Sequence, residues 1–154
     1  MPPTIGILPR SIQQQLAEVV QKIAYAVQPE KIICYGIRTA HNQDWGCFID
    51  GGVIKESIRL KLDLLIIAPV TKGQLEQDIS FAAELQCKSL ADVHCITHKI
   101  HSVNDNLTKG SPFFCTLYSK GLLIYDSGQT NLETPADIVG PTVERHIMQA
   151  IWTR

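Results

Sequence analysis

Two carboxylates stand in apolar runs, where a charge is costly. Asp63 interrupts Leu60-Lys61-Leu62-Asp63-Leu64-Leu65-Ile66-Ile67-Ala68, and Asp92 opens Ala91-Asp92-Val93-His94-Cys95-Ile96-Thr97. A buried, unpaired carboxylate is strongly disfavoured, so Asp63 must face solvent, a cationic partner or a metal. Side chains alternate along a strand, which places Lys61 and Asp63 on one face. If the two segments are neighbouring strands, Asp63 and Asp92 facing each other would be a pair of oxygen ligands for a divalent cation. The bland alternative is a wet half-strand lined by Lys61 and Asp63.

A third feature is Gly36, which ends Lys31-Ile32-Ile33-Cys34-Tyr35 and leads into Ile37-Arg38. Glycine permits a tight turn into a helix-like start, whose backbone N–H groups would face an anion such as a phosphate. It serves equally well as a turn residue with no ligand. His94 and His98 share a strand face with Asp92, and His101 follows closely. Together they form a weak transition-metal pattern, since strand histidines are usually satisfied by hydrogen bonds. Cys95 lies inside an apolar strand with nothing nearby to lower its pKa, so it is a poor nucleophile.

These residues need a scaffold. Ser11 is placed to cap a helix with Ile12, Leu16, Val19, Val20 and Ile23 at helical spacing, ended by Pro29. Strands are predicted at about 31–35, 58–68, 91–97 and 122–125, and helices at 72–87 with Thr71 as cap, after Ser102, and from Ser111-Pro112. Gly110 separates the last two. Residues 39–57 read as a long polar loop, with a short hairpin at Cys47-Phe48-Ile49 as one option. Residues 129–136 read as a linker. Residues 142–154 form a helical pattern with Val143, Ile147, Ala150 and Ile151 on one face, which would dock on this domain or begin another.

The chain of 154 residues is long enough to bury one core unaided. A net charge of −1 supplies no global attraction for nucleic acid, so direct binding by charge is not expected. Five cysteines without a Cys-x-x-Cys pair argue against a disulfide framework and for a reducing, cytoplasmic setting, with Cys34, Cys95 and Cys115 as buried thiols. The first ten residues do not read as a signal peptide, and no apolar run is long enough to span a bilayer, so no membrane partner is expected.

With these segments laid out, residues of about 11–126 resemble the nucleotidyltransferase superfamily, the palm-type fold of DNA polymerase beta and the minimal nucleotidyltransferases. That family runs helix, strand, Gly-Ser, helix, a strand with Asp-x-Asp, and a later strand with a third Asp. Gly36-Ile37 matches the Gly-Ser, Arg38 a commonly basic position after it, Lys61-Leu62-Asp63 the Asp-x-Asp, and Asp92 the third acid. The run from Lys109-Gly110-Ser111-Pro112-Phe113-Phe114 to Ile124-Tyr125-Asp126 is similar to a subgroup that precedes a HEPN domain (nucleotide-binding, often an RNase).

The resemblance implies an α/β (α+β) fold with a small mixed central sheet of about four to five strands flanked by helices. It implies a domain over 1–128, with 129–154 as linker and C-terminal helix leading into a partner domain. Asp63 and Asp92 would be the catalytic and Mg2+-binding acids, and Gly36, Ile37, Arg38 and Lys61 would meet the nucleotide. Lys61 replaces the first acid and Ile37 the phosphate-binding serine. An ammonium beside a Mg2+ site is a like-charge clash and offers no ligand oxygen. The expectation is a degenerate site that binds a nucleotide, a HEPN-type helical domain or a second copy without transferring anything. Two other readings stand beside it. One is an active enzyme that moves a nucleoside monophosphate onto a hydroxyl, using Mg2+ and an acid supplied by Asp44, Asp50 or Glu56. The other is an antitoxin-type interaction module.

Overall fold

A computed structural model describes residues 8–44, 55–71 and 73–135. Helix α1 spans Arg10–Val27 and buries Leu16, Val19 and Ile23. It stops where Gln28 turns left-handed (φ 47°) and donates its N–H to the Ala24 carbonyl, just before Pro29. The cap position is Pro9 rather than Ser11.

Strand β1 is Lys31–Asp44 and β2 is Lys55–Ile67. Helix α2 (Glu76–Cys87) follows, then β3 (Asp92–His98), α3 (Ile100–Thr108), α4 (Pro112–Lys120) and β4 (Leu122–Asp126). Among the described residues the strands form one mixed sheet in the order β3-β2-β1-β4. β1 pairs antiparallel with both β2 and β4, while β3 runs parallel to β2 after the crossover through α2. The fold is therefore a mixed α+β sandwich, a four-stranded sheet flanked by four helices.

Side-chain alternation divides the interior in two. Ile32, Cys34, Leu60, Leu62, Leu64, Ile66 and Cys95 face α1 and α2. Ile33, Leu65 and Ile67 face α3 and α4, where Val103, Leu107, Phe114 and Leu117 cover them. Burial on both faces accounts for the unbroken apolar run at the end of β2.

Several expectations are corrected. β1 does not stop at Gly36, and no helix starts there. The strand continues to Asp44 against Lys55, so both flanks of the expected 39–57 loop are ladder. The hairpin expected at Cys47-Phe48-Ile49 lies outside the described residues. α2 starts at Glu76, because Thr71 closes a turn with the Gln74 side chain (3.1 Å) and Asp78 accepts the Leu75 N–H (3.0 Å). α3 begins at Ile100, ahead of Ser102.

The start of the predicted linker is docked on α3. Leu132 packs on the second core, Asn104 Nδ2 donates to the Asn131 carbonyl (3.0 Å), and Asn104 Oδ1 accepts the Glu133 N–H (2.7 Å). The helical pattern at 142–154 lies outside the described residues.

Candidate functional site

The covered half of β2 gives way to an open half on one face. Leu65 and Ile67 lie under α3 and α4, whereas Asp63, Lys61 and Arg59, on the same face, extend past that roof. The parallel register sets Lys61 opposite Asp92 and Asp63 opposite His94. Asp63 and Asp92 thus lie on one face of adjacent strands but are offset by one step of the alternation. They do not face each other as register partners.

A β-bulge supplies the third strand of the site. Cys34 pairs with Leu64 and Gly36 with Asp63, leaving Tyr35 as the extra residue. The insertion inverts the alternation beyond it. Ile37 lies against the core under α1 and α2, while Gly36 and Arg38 join the open face. Ile37, expected to meet a nucleotide, is therefore not part of the site.

Gly36 is in the site because it lacks a side chain. A Cβ there would collide with Asp63 Oδ2 and stand 3.3 Å from both Asp63 Cβ and Cγ. The glycine therefore serves a close approach of the carboxylate rather than a turn. Tyr35 packs edge-to-face on Phe113 (5.6 Å), joining the bulge to α4.

Both acids carry guanidinium partners. Arg38 Nη2 lies 3.6 Å from Asp63 Oδ2, whose side chain is 25% exposed. Arg59 Nε donates to Asp92 Oδ1 (2.9 Å), and its Nη2 donates to the Lys88 carbonyl (2.6 Å). Lys61 has no ion-pair partner among the described residues and is exposed. Glu84, from α2, accepts the Cys95 N–H (2.8 Å) and lies 3.8 Å from His94 Nδ1. An open groove of about 510 Å³ runs from Arg38, Lys61 and Asp63 across Asp92 and His94 to Phe81 of α2 and Lys88 just after it.

This donor set does not fit Mg2+. Each aspartate is neutralised by an arginine, Lys61 occupies the register position beside Asp92, and no group of three or more His, Cys, Asp or Glu gathers among the described residues. The three histidines are dispersed as well. His94 is exposed beside Glu84, His98 packs edge-to-face on Phe114 (5.4 Å), and His101 is exposed on α3.

Thiol chemistry is disfavoured in the described interior. Burial pushes the Cys34 thiol up to about 11, against a weaker lowering by a backbone hydrogen bond at Gly36. Burial, reinforced by Glu84, raises Cys95 further. The groove gathers Arg38, Lys61 and Lys88 with Asp63, Glu84 and Asp92 beside an open sheet face.

Sequence reasoning missed Arg59, Glu84, Lys88 and Phe81. Arg59 was readable from Arg59-x-Lys61-x-Asp63, since alternation puts all three on one face. The α2 residues carry no local signal, because their place beside β3 depends on helix packing. Among the described residues, no helix is long and apolar enough to cross a membrane. Comparison of the chain with protein-family models, curated proteins and solved structures finds no match.

Proposed function

We propose that this chain is a nucleotidyltransferase-like domain with a degenerate metal site, and that it binds a nucleotide without transferring it. The observation that carries the reading is Lys61. Its ammonium lies on the open face beside Arg38 and Asp92, at the position the resemblance assigns to a metal-binding acid. An ammonium there supplies the charge that phosphate oxygens need and no metal coordination. Arg38 and Arg59 pair with the two aspartates, so Lys61 and Lys88 stand against Glu84 and leave the groove one cation in excess. Phe81 and Leu85 add an apolar wall for the base.

Calorimetric titration of the full chain with ATP, with and without Mg2+, tests this. The expected result is binding that Mg2+ leaves unchanged or weakens, that falls with added salt, and that weakens at least about fivefold in Lys61→Ala. Binding that requires Mg2+, or label transfer from the nucleotide to an acceptor hydroxyl, would overturn it.

A further inference from the structure

Given the nucleotide reading above, on which this rests, we propose that the base held in the groove is guanine and that Glu84 selects it. Helix α2 runs antiparallel along β3. Ser80 Oγ meets Thr97 Oγ1 at 2.7 Å, and Glu84 accepts the Cys95 N–H at 2.8 Å. At the far end, Arg59 donates to both Asp92 and the Lys88 carbonyl. Phe81, Glu84 and Leu85 of α2, and Lys88 just after it, therefore follow β3 from Thr97 down to Asp92 and line the groove along one helical stripe.

This alignment gives the groove two unlike ends. The register sets Arg38 beside Lys61 and Lys61 beside Asp92, one row across β1, β2 and β3. Lys88 lies at the same end, and among the described residues neither Lys61 nor Lys88 has an ion-pair partner. Phosphate oxygens belong on these two ammonium groups. Cys95 is three residues beyond Asp92, about 10 Å further along the strand. There the Glu84 carboxylate stands between Phe81 and Leu85 on the helix surface. A ribose spans the interval and carries the base onto the apolar wall, with its edge at Glu84.

A carboxylate only accepts hydrogen bonds, and it takes them at two oxygens. Glu84 is held in place by the Cys95 N–H on Oε2, with His94 Nδ1 at 3.8 Å from the same oxygen. Among the described residues Oε1 has no hydrogen-bond partner, and Oε2 keeps a second lone pair. The side chain is 34% exposed, so a ligand reaches it without opening the fold. Guanine offers two adjacent donors, N1–H and the N2 amino group, which meet both oxygens at once. Adenine and cytosine turn a ring-nitrogen lone pair toward the carboxylate beside a single amino group. Uracil offers one N–H between two carbonyl oxygens. Each of these three loses a charge-assisted hydrogen bond and sets an acceptor against an acceptor.

Calorimetric titration of the full chain with GTP, ITP and ATP tests the proposal, the triphosphate being common to all three. GTP is expected to bind about ten- to a hundredfold tighter than ATP, as loss of one hydrogen bond to a charged acceptor predicts. ITP keeps N1–H but lacks the amino group, and should fall between them. Glu84→Gln, shown to be folded by circular dichroism, should bind GTP and ATP alike, because an amide donates as well as accepts. ATP binding to the wild type as tightly as GTP overturns the guanine assignment and leaves the nucleotide reading standing. A preference for GTP that persists in folded Glu84→Gln overturns the role of Glu84. Binding of none of the three nucleotides overturns the nucleotide reading and this inference with it.

Discussion

Gly36→Ala puts the geometry of the site to its sharpest test. The added methyl would occupy the space of Asp63 Oδ2 and crowd Asp63 Cβ and Cγ at 3.3 Å. Overpacking of this kind costs about 1–3 kcal/mol. Alanine recovers about 0.5–1 kcal/mol through the lower entropy of its unfolded chain. Displacing the carboxylate from Arg38 adds no more than about 0.5 kcal/mol, because that arginine is largely in water. The net expectation is a loss of about 1–2 kcal/mol, read as a lower urea midpoint at unchanged slope. The effect should depend on Asp63. In an Asp63→Ala background the carboxylate is gone, only the Cβ contact remains, and the second substitution should be neutral or slightly stabilising. The double-mutant cycle should therefore show a coupling of about 1–2 kcal/mol. Additivity within about 0.5 kcal/mol would refute the close approach and, with it, the bulge that aims Arg38 and Gly36 at Asp63.

Other consequences follow from charges and thiols. Lys31 is 5% exposed and donates to Asp126 (2.7 Å), which also accepts the Gly128 N–H, so the carboxyl is held below its usual value of 3.8. A depressed folded value means this pair stabilises the fold above that pH and stops doing so as pH falls through the folded value. Asp126→Asn should flatten stability against pH below about 4 and cost about 1–3 kcal/mol at neutral pH by stranding the ammonium, measured by urea denaturation. In a Cys47→Ser background, Cys34, Cys87, Cys95 and Cys115 are buried thiols and should ignore a disulfide reagent at pH 8 until denaturant is added. Rapid labelling of any of them in the native chain would contradict their burial. Lys61→Asp, which restores an Asp-x-Asp, should make ATP binding depend on Mg2+, whereas Lys61→Ala should weaken binding at least about fivefold without that dependence.

Much of the scaffold was legible in local pattern. Leu16, Val19 and Ile23 recur at helical spacing and are buried in α1, and the run Leu64 to Ile67 is too apolar to have a wet face. Lys61 and Asp63 were placed on one face by alternation alone, and the structure keeps them there. The burial of Cys34, Cys95 and Cys115 followed from their apolar neighbours.

Gly36 shows the limit of that reading. A glycine after an apolar run serves a turn or a close approach equally well, and only the strand laid beside it distinguishes the two. Asp63, 27 residues further on, fills the space that the missing side chain leaves. The same bulge decides Ile37 and Arg38. Counting by twos from Cys34 would send Arg38 into the core and Ile37 into the groove, and one inserted residue reverses both. The offset of Asp63 from Asp92 is likewise a matter of register between strands separated by a helix, with no trace in either segment.

Sequence by itself determined where the helices and the apolar cores of the strands fall, because those properties depend on neighbours a few residues away, while the polar extensions of β1 and β2 came only from their pairing. The tertiary structure alone decided which charges meet and which glycine faces a carboxylate, because each depends on how distant segments align in register.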